Sequence, residues 1–526
     1  MKFGQLVPFM VQDTLPGDRF KVGSSHVIRL QPTVAPVMQN VMIYKHYFFV
    51  PYRLLWADWE KFITGGVSGA EKPDYPTIRR TGVTGQLLSM INAGGLSDYL
   101  GFPSPDSFDK APANVNIDFD MLPFLAYQLI YQEYYRDQNL LAEAIDFPVD
   151  ADFIGNVNHS SDDAYIRSLL TLRQRAWKKD EFTSALPWPQ RSPVGVSLPV
   201  NVESTAYDLG PTGINIASWG DNGRANLTPG AKLVVSKSLG EYENGLTVNQ
   251  VRTENDEPVV NVMPASGIGV RSEASLASIS ELRRAFKVQE WLEAMATGGS
   301  RYVEQIKRIF GVRTSDGRMQ RPIYLGGSTT PLVMEQTAQT SQTSGDSVQG
   351  NLAGNGASVS SDFIFKNRFE EHGFIMGIMS IIPRASYFQG MPQKYCRRDR
   401  YEFYWPQFAH IGEQPIAKGR LYYQFEDTSI NSTGNAAVFG YQPRYAEYRF
   451  NNDEIHGEFR TNLDQWHMAR KFNSPPNLNI NFVSVQPSVA NGVFSVSDYL
   501  AAPFLCLINN NILASRLVSK YGTSHL

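Results

Sequence analysis

Between Arg384 and Arg400 five positive residues, Arg384, Lys394, Arg397, Arg398 and Arg400, stand against one acid, Asp399. Tyr387, Phe388 and Tyr395 are interleaved with them, and Tyr401, Phe403, Tyr404 and Trp405 follow at once. Cations hold phosphates and flat rings stack on bases, so the segment has the ingredients of a single-strand nucleic-acid surface. The competing role is structural, with the rings in a core or interface and the arginines paired to acids. Lys178-Lys179 and the run from Arg516 to Lys520 are shorter basic segments of the same kind.

Nothing comparable supports catalysis. The sequence has no Walker A loop, no G-x-G-x-x-G, no G-x-S-x-G, no H-E-x-x-H and no C-x-x-C. Its eight histidines, at 26, 46, 159, 372, 410, 456, 467 and 525, lack metal-ligand spacing. His372 follows Glu370-Glu371, but adjacent residues on a strand face opposite sides. Asp146, Asp150 and Asp162-Asp163 suit caps and loops better than paired acid–base work. The expectation is a protein without enzymatic activity, cofactor or bound metal.

Charged residues are 19% of the 526, below the roughly 25% of an ordinary soluble domain. Aromatics reach 12%, and interface cores favour rings and deplete charge. The net charge of −3 excludes a uniformly basic chain, so any contact with nucleic acid must be local. Cys396 and Cys506 cannot build a disulfide framework. No signal peptide is visible, and the longest apolar stretch, Phe374 to Ile382, falls far short of the roughly 20 residues a membrane span needs. The chain is expected to be soluble, reduced and intracellular when made.

These residues must be positioned by a β framework. Val41 to Val50 is rich in β-branched and aromatic residues and reads as a strand buried on both faces, ended by Pro51. Phe374–Ile382, Arg420–Glu426, Tyr445–Phe450, Glu454–Arg460 and Leu478–Val485 read as further strands. Ser278-Ile279-Ser280-Glu281 is a capping box that opens a helix, stopped by Gly298-Gly299, and a shorter helix follows to Gly311. Pro123–Tyr135 and Asp163–Trp177 are amphipathic helix candidates. Residues 196–275, rich in Gly, Asn, Ser and Thr, read as a surface insertion; 328–361 reads as a polar loop or an arm ordered against neighbouring subunits. Length alone suggests three or four domains at roughly 150 residues each. The helices are inserted between strands without regular alternation, which argues against a doubly wound enzyme fold.

Several strings resemble the major capsid proteins of microviruses, closest to the gokushovirus-like branch. They include Tyr44-Lys45-His46-Tyr47-Phe48-Phe49-Val50-Pro51, Arg53 to Trp56, and Trp59 to Gly66. Phe182 to Gln190 with Trp188, Gln320-Arg321-Pro322, Tyr324 to Gly327, and Phe369 to Gly373 with Glu370 and His372 continue the match. So do Tyr401 to Gln407, containing Tyr404 and Trp405, and Val438 to Glu447, containing Tyr441. The resemblance implies a mainly β fold, a single eight-stranded viral jelly roll of two antiparallel sheets with long helix-bearing insertions. It implies a T=1 icosahedral virion, built from pentamers in the host bacterial cytoplasm around a circular single-stranded DNA genome. Residues 196–275 stand where the family carries a threefold protrusion, a plausible contact for a bacterial surface receptor. No basic amino-terminal arm is read in the sequence, so genome binding is expected to fall to the inner wall and to a small basic DNA-binding partner, with a pilot or minor capsid protein beside it. The alternative from another class is a jelly-roll carbohydrate-binding or adhesin module.

Overall fold

The computed structural model of the chain describes residues 1–108, 115–159, 163–191, 279–343, 348–426, 434–494 and 502–519, with short strands between 215 and 261. Two compact units are present: Met1–Pro193 with Trp291–Leu526, and Val194–Glu290. In the second unit, strands Asn215–Ala217 and Arg224–Asn226 pair, and Gln250–Arg252 lies between Val234–Val235 and Val260–Asn261. These fall within the insertion expected at 196–275.

The first unit is built on seven strands: β1 (Val7–Thr14), β2 (Arg19–Thr33), β3 (Val41–Pro51), β4 (Ile323–Ala338), β5 (Leu352–Arg368), β6 (Gly373–Pro383) and β7 (Phe504–Ser515). They are hydrogen-bonded in the order β1-β6-β3-β4-β5-β2-β7, antiparallel throughout. The two edges of the series curl back on each other. The Met1 ammonium donates to the Phe504 carbonyl at 3.2 Å, and the Phe3 and Phe504 rings meet at 4.6 Å. Near-closure hides the open edges that would otherwise recruit other strands. The mainly β, jelly-roll-like reading with helices in its insertions stands. Its large ladder runs as one series of seven, beside small pairs such as Glu413–Ala417 with Val438–Pro443.

The barrel interior is apolar at both ends. Ile28, Leu30, Val41, Ile43, Met379 and Ile381 fill one end, and Phe20, Val22, Tyr47, Phe49, Phe365 and Ile375 fill the other. A polar belt separates them. Lys45, 0% exposed, reaches Asp362 at 3.5 Å and Ser24 at 3.4 Å, while His26 meets Ser358 at 3.3 Å. Burial first, and then the Lys45 charge, pushes the His26 pKa down to about 4, so it is neutral in the belt.

The outer face of β6 and β3 is covered. Phe48, Val50, Phe374, Met376 and Ile378 pack against helix α1 (Leu122–Ile130), whose nine residues are all buried. A helix apolar on every side must be enclosed. Trp56, Ile91, Leu96 and Leu169 complete that core. By contrast, among the described residues no element covers the outer face of β5, β2 and β7, and Val359 there is 75% exposed.

The strand at 41–50 and its neighbour at 374–382 form as expected, as do helices α2 (Ile279–Gly298) and α3 (Tyr302–Phe310), the latter ending at Gly311 with φ 69°. Other expectations fail. Within 328–361, residues 328–338 and 352–361 are strand: β4 and β5 pair from Val333↔Ala357 to Ala338↔Leu352. Small polar residues hold this ladder through the backbone, and a Cβ on Gly356 would lie 3.0 Å from Leu30 and Met334. The strands expected at 420–426 and 445–450 are single turns, Lys418–Arg420 and Ala446–Tyr448. At 454–460 only Asp453–Glu454 is a strand, and at 478–485 a short helix, Ile480–Val483, opens with Asn479 accepting from the Phe482 N–H. Leu421, Phe482 and Val483 of these segments bury their side chains with Phe182, Tyr387, Ile416 and Phe439 in a cluster separate from the barrel interior, while 454–460 buries none. The helix expected at 163–177 stops at Leu170, because the following residues cross to the barrel and bond Gly4 and Val485.

Candidate nucleic-acid interface

The basic and aromatic segment leaves the barrel at the end of β6 and is shaped by local turns. Pro392 starts a helical turn, Gln393–Cys396, and Asp399 with Glu402 forms a reciprocal capping box around the next. Pro406 begins a third. With so little regular structure, downstream residues decide where each side chain goes.

Three of the five cations are engaged with acids. Arg384 meets Asp453 at 2.9 Å and Lys394 meets Glu454 at 3.6 Å. Arg397 lies 3.5 Å from Glu447, with the two side chains 10% and 6% exposed, and its guanidinium sits 4.2 Å over the Tyr448 ring. Arg397 is therefore a buried strut, turned to Glu447 and Tyr448 and set apart from the exposed cations of the segment. Arg398 donates to the carbonyls of Tyr395 and Arg397 at 3.2 Å, and Arg400 to the Tyr401 hydroxyl at 2.9 Å. Among the described residues neither pairs with a carboxylate. Tyr395, Tyr401, Phe403, Tyr404 and Trp405 are all exposed around them. The Trp405 indole donates to the Arg400 carbonyl at 2.9 Å, and Tyr401 is anchored through its carbonyl by Arg444 and Tyr445. Two free cations beside a set of held, uncovered rings can bind a flexible polyanion that carries bases.

The residues of the family-like strings are dispersed through the molecule. Tyr47 lies in the barrel with its hydroxyl 3.2 Å from Asn510, Phe48 packs on Tyr134 at 4.7 Å, and Phe49 on Phe369 at 4.6 Å. Pro51 closes β3, Trp56 is buried, and Trp59 stacks edge-on to Tyr52 and His372. Glu370 is exposed, Trp188 is half-buried, and Tyr441 exchanges backbone hydrogen bonds with Leu186. Tyr404 and Trp405 alone of this group join the basic surface. Among the described residues no three His, Cys, Asp or Glu side chains come together as a metal site, and none of the helices is long and apolar enough to cross a membrane.

Two features escaped the sequence reading. A cleft of about 1240 Å³ holds Arg175, whose guanidinium lies 3.9 Å over Tyr44 and donates to Ser380 at 2.7 Å. Elsewhere Glu413 sits near Glu293, and burial first, then that second carboxylate, raises its pKa to about 7. The raised value gives a sign. Unfolded, Glu413 titrates near ~4.3, so folding takes up a proton between that value and about 7. Stability therefore falls as pH rises through this window. Glu413→Gln is expected to melt higher than the unchanged chain at pH ~8 and equally at pH ~4. Parallel melting curves at both values would contradict the assignment.

With this geometry in view, comparison with known proteins identifies the lineage. The family model described as capsid protein (F protein) matches residues 1–526. The chain belongs to this capsid protein family. It is 34% identical to capsid protein VP1 of Chlamydia phage 1, over 91% of this chain and 86% of that one. It is also 34% identical to VP1 of Bdellovibrio phage phiMH2K, over 92% and 85%, and 28% identical to VP1 of Spiroplasma virus 4, over 90% and 83%. The resemblance to gokushovirus-like microviruses stands, and the capsid protein is a component of the virion.

Proposed function

We propose that this major capsid protein assembles through pentamers into a T=1 icosahedral shell around a circular single-stranded DNA phage genome. The observation that carries the reading is the capsid family match along the entire chain. The surface supports it. Helix α3 buries none of its residues and leaves Tyr302, Ile309 and Phe310 exposed. An amphipathic helix with its apolar side in solvent is suited to burial against a neighbouring subunit. Rotational closure of such contacts gives a shell, where open contacts would give fibres. The protein is a structural component without enzymatic activity.

Arg398 and Arg400, with Tyr395, Tyr401, Tyr404 and Trp405, supply the genome contact in this reading, assisted by a small basic DNA-binding protein and a pilot protein. The insertion at 196–275 supplies the threefold protrusion and the contact with the bacterial receptor. Electron microscopy of purified protein is expected to show pentamers or closed particles; stable monomers alone at high concentration would overturn the shell. Arg398→Glu combined with Arg400→Glu is expected to leave particle yield unchanged and to lower nuclease-protected DNA per particle severalfold. Undiminished DNA would remove this segment as a genome contact.

A further inference from the structure

We infer that the uncovered outer face of β5, β2 and β7 is a second surface for a single-stranded polynucleotide, with a base site at Phe363 and phosphate sites on the cations beside it. The inference rests on the reading of the protein as a shell around single-stranded DNA. Strand register carries it. Lys366 lies opposite Lys21, and Arg368 opposite Arg19. Residues directly opposite on an antiparallel pair share a face, and like charges placed so are destabilising. All four side chains are exposed, and among the described residues none is paired with a carboxylate. Among the described residues nothing offsets this repulsion, and an external anion would relieve it.

The next row toward the middle of the sheet changes character. Phe363 lies opposite Gly23, and β7 adds Leu513 opposite Lys21 and Asn511 opposite Gly23. Together with Asn509 these residues border a depression of about 540 Å³, within the ~300–1,000 Å³ range of small-ligand sites. Gly23 contributes no side chain to its floor. Phe363 is 64% exposed, so one ring face is free to stack. The Asn509 and Asn511 amides both donate and accept, as base edges require. Asp362 also borders the depression, but its carboxylate is directed to Lys45. Neighbouring strands are ~4.8 Å apart and alternate residues ~6.7 Å apart, so the four cations form a compact block one row from the ring. Stacking beside closely spaced cations is the general design of single-strand sites. A sugar surface would also use Phe363 and the asparagines, but it has no need of four uncompensated cations.

Fluorescence anisotropy of a labelled oligothymidylate with full-length, unassembled protein tests the assignment. Lys21→Glu with Lys366→Glu is expected to weaken binding at least tenfold at ~50 mM salt and to flatten the salt dependence by ~1.4 in log–log slope, for two lost phosphate contacts. Phe363→Ala is expected to weaken it ~10-fold with the slope unchanged. All three positions are on the surface, and circular dichroism checks that the variants fold. Unchanged affinity and slope in both variants would overturn the inference. So would binding of a neutral glucan that is lost in Phe363→Ala while oligothymidylate binding is kept. Shells of the variants that still enclose nuclease-protected DNA in the first of these cases would sink this surface alone, whereas unaltered protein whose particles never hold DNA would sink the genome reading beneath it.

Discussion

Replacing Glu181 with alanine is expected to lower the stability of the folded chain by about 3–5 kcal/mol. Its partner is Arg420, and the two side chains are 7% and 4% exposed. Arg420 donates to one carboxylate oxygen and Asn452 to the other, while the guanidinium lies 5.6 Å over the Phe182 ring. Arg420 already has one buried N–H without a partner. Truncating Glu181 would leave the whole charge uncompensated in a site from which water is excluded, and that desolvation cost dominates. Glu181→Leu combined with Arg420→Met should recover most of the loss, since an apolar pair of similar volume avoids the cost on both sides. Denaturant unfolding of the three variants measures the difference. A loss below ~1 kcal/mol in Glu181→Ala would place the pair among solvent-screened ones.

Arg397→Glu is expected to cost a comparable amount, about 3–5 kcal/mol, and to collapse the yield of soluble protein. The substitution would set a second carboxylate against Glu447, itself only 6% exposed, and would remove the cation from the Tyr448 ring. Arg398→Glu and Arg400→Glu, on the exposed side of the same turn, should each change stability by no more than about 0.5 kcal/mol. Melting temperatures and soluble yields of the three single variants separate these outcomes. Equal behaviour of all three would mean that Arg397 is as solvated as its neighbours. The distinction also governs any packaging experiment, because a variant that includes Arg397 confuses loss of fold with loss of DNA contact.

Much of the framework was legible in the chain. Val41–Pro51 and Gly373–Pro383 are buried on both faces, so their continuous β-branched, aromatic and apolar runs are strong local signals. The glycines that end α2 and α3 act through their own backbone freedom. Sequence reading missed β1, β2, β4, β5 and β7; of these β2, β5 and β7 have an uncovered outer face, and the interior belt interrupts β2 at Ser24 and His26 and β5 at Ser358. Neither face then shows a clean apolar alternation, and the pattern is lost.

The residue types alone established the charge-poor, ring-rich composition, the absence of the common catalytic motifs, the β class and the cationic segment at 384–400. Those properties are local or summed over the chain, so no fold is needed to read them. Which cations stay free was decided only by tertiary structure. Glu447, Asp453 and Glu454 reach back some fifty residues or more to engage Arg397, Arg384 and Lys394, while Arg398 and Arg400 are left to solvent. The opposed Lys21 and Lys366 come from strands more than three hundred residues apart in sequence. Electrostatic pairing depends on distances of a few ångströms, and only the tertiary fold sets them.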